Sequence, residues 1–335
     1  MERINVENKQ YNVVSLFSGI GGIDLGFDFA GFNIIWANDF DSAACKTYRA
    51  NVGSQVVEGD IRLVKVQIPP HDILVGGFPC QPFSTLGKLQ GFNDEQDRGT
   101  LFFEIMDIIK KHNTKVVVLE NVKNLINHDN GNTFLRIKQE LEDAGYYVNS
   151  KVLNSQDFGI PQRRNRVFIV AFNKTFYEAV PFEYPEPIEL AVTTQDLLDE
   201  DVDEKYFLTE KISKTILGNG TKGYIVKPTI DLPISKTLTA TMHKMHRASQ
   251  DNYVTDEANY ERNVIDKIKR IAIRKLTPNE CRKLQGFPSD WHQVVSDVQA
   301  YKQFGNAVTV NVAYAVASKI MTHIQKFNLD RNDIH

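Results

Sequence analysis

The sequence predicts an α/β fold: a Rossmann-like, doubly wound and mostly parallel sheet, with a smaller and less regular domain attached. Three observations predict it. An apolar run at 12–17 leads into Ser18-Gly19-Ile20-Gly21-Gly22 and then into helically spaced Ile23, Leu25, Phe27 and Phe29, which is the start of a nucleotide-type βαβ unit. Further apolar runs at 33–37, 55–57, 73–75 and 116–119 read as strands, and three of them end at carboxylates: Asp39, Asp60 and Glu120. From about residue 181 the pattern breaks, with prolines at 181, 185, 187, 228 and 233.

The elements follow in order. The glycines of the first turn let the backbone approach a ligand. Asp39 stands 20 residues after Gly19, the usual spacing for an acid that takes ribose hydroxyls. Its alternative is a helix N-cap for 41–49. Asp60 is expected in the crevice at the C-terminal edge of the sheet. Apolar spacing predicts helices at 101–111 and 133–144, the latter stopped by Gly145. Strands are expected at 146–153 and 167–170. Arg164 and Arg166, just before the last strand, share one face of an extended chain. Thr277, Pro278 and Glu280 make a capping box that starts a helix. Residues 301–308 read as a turn feeding a final helix at 310–324.

The stretch Gly76-Gly77-Phe78-Pro79-Cys80-Gln81-Pro82-Phe83-Ser84 stands out. Two glycines and two prolines around one cysteine hold a thiol rigidly at a strand end, as a nucleophile requires. A buried, inert cysteine is the alternative. The polar segment 85–100 after it reads as an active-site lid. Cys281, mid-helix, reads as a core residue.

Composition bounds the rest. The chain has 335 residues, 42% of them hydrophobic and 24% charged, as expected of a globular protein with a sizeable core. No apolar run approaches ~18 residues, so no membrane span is expected. The polar N-terminus predicts no secretory signal. Three widely spaced cysteines, Cys45, Cys80 and Cys281, fit a reducing, cytoplasmic setting without disulfides. No metal site is expected, since His243 and His246 lack further ligands. Net charge is −3, but residues 181–210 carry ten Asp/Glu against one Lys, and 211–250 carry seven Lys/Arg against one Asp. That sign change suggests a basic face.

Taken together, several stretches resemble the C5-cytosine DNA methyltransferases. They are Phe17-Ser18-Gly19-Ile20-Gly21-Gly22, Gly77 through Ser84, Glu120-Asn121-Val122, Gln162-Arg163-Arg164-Asn165-Arg166, residues 274–288, and Gln303-Phe304-Gly305-Asn306. They occur in the family's order and cover about 12–170 and 274–312. The resemblance implies that Cys80 adds to C6 of a flipped cytosine, that Glu120 contacts the N3 edge, that Arg166 holds O2, and that Arg164 orders the site. It implies S-adenosyl-L-methionine as cofactor, held by Phe17, Gly19, Gly21, Gly22, Asp39, Phe40, Asp60, Ile61, Phe78 and Asn306. Two departures are Asp39, where the family often has Glu, and Ala307, where Ser is frequent.

The implied domains are a catalytic, cofactor-binding domain at 1–180, a target-recognition domain at 181–272, and a return to the first at 273–335. Double-stranded DNA is the implied partner, contacted by Gln81, Ser84, Lys244 and Arg247. Lys244 and Arg247 would read guanine edges or neutralise phosphate. A monomer is expected, paired genetically with a restriction endonuclease or serving phage protection. Three rival readings are a tRNA cytosine methyltransferase, a silent DNA-binding regulator on the same fold, and a nicotinamide-dependent dehydrogenase.

Overall fold

Residues 9–78, 100–179, 181–218, 220–221, 224–225, 229–244 and 247–332 are described by a computed structural model. They fall into two compact units. One comprises Met1–Asn154, Asn165–Glu186 and Val312–His335; the other comprises Ser155–Arg164 and Pro187–Asn311.

The first unit is built in chain order from β1 (Asn12–Leu16), α1 (Gly22–Phe29), β2 (Asn33–Asp39), α2 (Ser42–Asn51), β3 (Val56–Glu58), α3 (Ile61–Val64), β4 (Ile73–Gly77), α4 (Thr100–His112), β5 (Val116–Val122), α5 (Asn132–Asp143) and β6 (Tyr146–Asn154). After β7 (Gln162–Arg163), which belongs to the second unit, β8 (Asn165–Asn173) completes the sheet. Its strand order is β3-β2-β1-β4-β5-β8-β6. Strands β1 to β5 pair in parallel, while β8 runs antiparallel to both β5 and β6. The sheet is thus mostly parallel. The order reverses between β1 and β4, and the crevice outside their carboxyl ends is where such sheets take ligands.

The strands are continuous apolar runs because helices cover both faces. Val14, Leu16, Leu74, Val117, Leu119 and Ile169 pack with Phe102, Ile105 and Ile109 of α4 and Ile137 and Leu141 of α5 in one core. β5 continues three residues past its apolar run, to Val122, because β8 pairs with it along its whole length. Glu120 is therefore a ladder residue opposite Phe168 and not a strand tip.

The second unit holds β9 (Phe207–Thr209), α6 (Glu210–Leu217), β10 (Gly220–Thr221), β11 (Tyr224–Ile225), β12 (Ser235–Lys236), β13 (Tyr253–Thr255), α7 (Glu257–Asn263), β14 (Arg270–Lys275), α8 (Pro278–Lys283) and α9 (Asp297–Asn306). Its strands form small sheets, β13-β14-β9, β12-β7 and β10-β11. The capping box is present: Thr277 Oγ1 accepts from Glu280 N, and Glu280 Oε2 accepts from Thr277 N. Residues 301–306, expected as a turn, are the end of α9. Ser296 caps that helix, and Ala300, Tyr301 and Phe304 bury its inner face. The last helix of the described residues, α10 (Val310–Asn332), lies from Val312 onward in the first unit.

Candidate active site

The turn after β1 is tightly wound. Phe17, Gly19 and Gly21 all have left-handed backbone, at φ 54, 55 and 86. A Cβ on Gly19 would meet nothing within 4 Å, so its surroundings are open. Gly21 caps α1 without a side-chain hydrogen bond, and Gly22 is the helix's first residue.

Asp39 ends β2 beside this turn. It is not a helix cap: Asp41 caps α2, accepting from Ala43 N and Ala44 N. Asp39 Oδ2 accepts from Gly19 N and Oδ1 from Asp41 N, each at 2.8 Å. The side chain is 8% exposed, and burial raises its carboxyl above the usual range. The Phe40 amide also donates to it, and a carboxylate with about four acceptor sites can still take one ligand hydroxyl. Phe40, next in the chain, is 78% exposed, a bare ring beside the carboxylate. Asp60 caps α3 and is ion-paired with Arg62, which holds its carboxyl below the usual range. Ile61 and Phe78 are buried in the main core.

The exit of β4 is shaped by close approaches. A Cβ on Gly76 would stand 3.0 Å from Leu16 O, and one on Gly77 would stand 3.3 Å from Glu120 Oε2. Glu120 sits opposite Gly77 in the β4/β5 ladder. Arg166 Nε lies 3.0 Å from Glu120 Oε1, and both side chains are largely buried. Asn121, to which the sequence reading assigned no role, fixes the strand exit: its Nδ2 donates to Phe78 O at 2.8 Å. Its place in the Glu120-Asn121-Val122 motif was the available signal.

Cys80, Gln81, Ser84 and the lid expected at 85–100, apart from Thr100 at the start of α4, lie outside the described residues. The other two cysteines are fully buried. Burial pushes the Cys45 thiol up to about 11 and the Cys281 thiol well above its usual value. Neither suits a nucleophile.

In the second unit Arg164 is 1% exposed. Its Nη1 donates to Leu238 O at 2.9 Å, and its Nη2 to Gly305 O at 3.1 Å and Ala307 O at 2.7 Å. The guanidinium ties together three carbonyls, and Arg164 does not itself stand in a strand, where the extended-chain reading expected it. The reason is local: β7 ends at Arg163 and β8 begins at Asn165, so Arg164 lies in a break between strands. Gly305 packs directly on backbone, where a Cβ would meet Thr239 C at 2.2 Å. Asn306 is exposed at the end of α9. Lys244 is exposed. Arg247 is held internally, donating through Nη2 to Asp251 Oδ1 and Thr239 Oγ1, each at 2.8 Å. His243 Nδ1 contacts Ala240 O, and His246 lies outside the described residues. No group of three His, Cys, Asp or Glu among the described residues could hold a metal ion, and none of their helices is long and apolar enough to cross a membrane.

The sequence profile described as C-5 cytosine-specific DNA methylase matches residues 11–322. Among curated proteins, the type II methyltransferase M.SsoII of Shigella sonnei is 41% identical over 95% of this chain and 82% of its own length. M.HpaII of Haemophilus parainfluenzae is 40% identical over 93% and 90%. Among solved structures, the S. pombe Dnmt2 methyltransferase superposes with a TM-score of 0.74 at 20% identity, covering 94% of this chain and 99% of that one, a likeness of fold.

Proposed function

The chain belongs to the C-5 cytosine-specific DNA methylase family, and on that premise we propose that it methylates C5 of cytosine within a short duplex DNA sequence, with Cys80 as nucleophile. The observation that carries the reading is the Glu120–Arg166 pair, held at 3.0 Å opposite Gly77, three residues before Cys80.

Cytosine C5 is a weak nucleophile. A thiolate adding at C6 makes C5 enamine-like, so Cys80 supplies the covalent step. Glu120 binds the N3 and amino edge of the base, and Arg166 orients Glu120 while its remaining N–H groups take O2. After transfer the C5 proton leaves and the Cys80–C6 bond breaks, restoring the ring and the thiolate. The target base must leave the duplex stack to reach these groups. By tying down Phe78 O, Asn121 fixes the strand end from which Cys80 follows.

The turn fits S-adenosyl-L-methionine, which when bound supplies an electrophilic methyl on sulfonium. The supporting features are the open space at Gly19, the remaining acceptor site of Asp39 for a ribose hydroxyl, and the bare ring of Phe40 for a base face. Phe17, Gly21 and Gly22 shape the turn. Asp60 would take the adenine amino group on displacement of Arg62, Ile61 and Phe78 would back the adenine side from the core, and Asn306 would serve the methionine end.

Residues 181–272 would form the target-recognition domain, with Lys244 meeting DNA. Gln81 and Ser84 would contact the flipped nucleotide's strand. Arg247, committed to Asp251 and Thr239, would shape that segment. Restriction–modification is the context favoured by the named relatives. Bisulfite sequencing of DNA from a host expressing the chain tests the reading. Methylated cytosines within one short sequence are expected; unmodified DNA, or activity confined to tRNA in a parallel assay, would refute it.

A further inference from the structure

Beneath the 17–22 turn lies a carboxylate that the chemistry above leaves unused. Asp24, in the first turn of α1, has no exposed surface. Ser15 Oγ donates to its Oδ1 and Tyr48 OH to its Oδ2, both at 2.6 Å. Gln55 Nε2 donates in turn to the Tyr48 oxygen at 3.3 Å. One carboxylate thus joins β1, α1 and α2. The tyrosine ring it holds lies against the cofactor turn, where a Cβ on Gly21 would stand 3.1 Å from Tyr48 Cε2 and 2.8 Å from Val52 Cγ2.

A buried carboxylate is an expensive way to fill space, because it must be desolvated and an apolar side chain need not be. The turn above it has an unusual need for support. Left-handed backbone at Phe17 is strained and persists only where neighbouring structure over-determines it. Gly21 receives no side-chain cap of its own. The Ser15–Asp24–Tyr48 bonds supply rigidity where the turn's own residues do not.

We propose that Asp24 is a positioning residue for the cofactor: by fixing Tyr48 against Gly21 it sets the backbone of the 17–22 turn and hence its affinity for S-adenosylmethionine. The inference rests on the cofactor reading given above. Carrying no side chain to the ligand itself, Asp24 acts on the methyl donor and the demethylated product alike.

Calorimetric titration of the wild type, Asp24→Asn and Tyr48→Phe with S-adenosylmethionine and S-adenosylhomocysteine tests it, alongside kcat and KM on duplex DNA. A wild type that binds neither ligand would sink the cofactor reading and this inference with it. Once the wild type binds, both variants are expected to bind each ligand roughly tenfold more weakly, the scale of one lost hydrogen bond to a charged group. The loss should fall in KM for the cofactor and not in kcat. Tyr48→Phe keeps the ring and removes only the hydroxyl, so it decides the matter if Asp24→Asn does not fold. A folded Tyr48→Phe protein with wild-type affinity would overturn the proposal, even if its Tm were lower.

Discussion

At the scale of single residues, the proposed chemistry depends on which charges and thiols can act. Cys45 and Cys281 are sealed in the core with raised thiols, so neither competes with Cys80 for the proposed covalent step. Cys80→Ala should abolish methyl transfer while leaving duplex binding within about twofold of wild type, since the change removes only the nucleophile. Substantial turnover by that variant would contradict the covalent route. Glu120 and Arg166 are mutually dependent. Removing one partner of a largely buried pair costs about 3 kcal/mol, so Arg166→Ala should lower urea-unfolding stability by that order as well as activity. Unfolding indistinguishable from wild type would show that the pair is not formed. Asp24 gives a pH signature. Burial pushes its carboxyl up to about 6 from an ordinary 3.8, so the folded form holds its proton the more tightly. Its contribution is fully present below about pH 4 and is lost as pH rises to about 6, a difference of about 3 kcal/mol. Asp24→Asn cannot ionise and should flatten that slope; parallel stability–pH curves for the two proteins would refute the assignment.

At the scale of elements, glycines decide how closely strands and loops approach. Gly76 and Gly77 let β4 run against β1 and Glu120 with no side chain between them. Gly305 seats the 237–241 segment on α9, and Arg164 clamps the same place through Leu238, Gly305 and Ala307. A methyl at Gly305 has backbone atoms in its way and no flexible side chain to displace. Gly305→Ala should therefore cost about 1–3 kcal/mol, the range for overpacking, and weaken DNA binding. Unchanged Tm and DNA affinity would mean the segment sits elsewhere. These elements also mark where local sequence stopped being informative. Strand, glycine turn and helix at 12–29 were legible because their signals are adjacent in the chain. β5 outran its apolar run because β8, more than forty residues later, pairs with it to the end. Residues 301–306 resemble a turn in sequence because Gly305 and Asn306 look like punctuation, whereas tertiary packing of Tyr301 and Phe304 keeps the helix going.

At the scale of the whole molecule, a net charge of −3 conceals a basic segment at 211–250 next to an acidic one. DNA affinity should fall steeply between 50 and 200 mM salt, and Lys244→Ala should reduce the slope of log K against log salt by about 1; an unchanged slope would remove Lys244 from the phosphate contacts. Much of the candidate site was legible in the sequence, because Gly19, Asp39, Glu120 and Arg166 each lie beside or just beyond an apolar run and are residue types that chemistry singles out. What was not legible were bonds between residues distant in the chain: Asn121 to the Phe78 carbonyl, Arg164 to carbonyls near 238 and 305, Tyr48 to Asp24. No periodicity or spacing announces these, because each depends on the finished fold. The central claim, that Cys80 bonds covalently to a flipped cytosine, is tested most directly by a duplex carrying 5-fluorocytosine at the methylated position. Its fluorine cannot leave as a proton does, so incubation with the cofactor should give a denaturant-stable protein–DNA adduct whose peptide map places the link at Cys80. An adduct at any other residue, or turnover with no adduct, would contradict it.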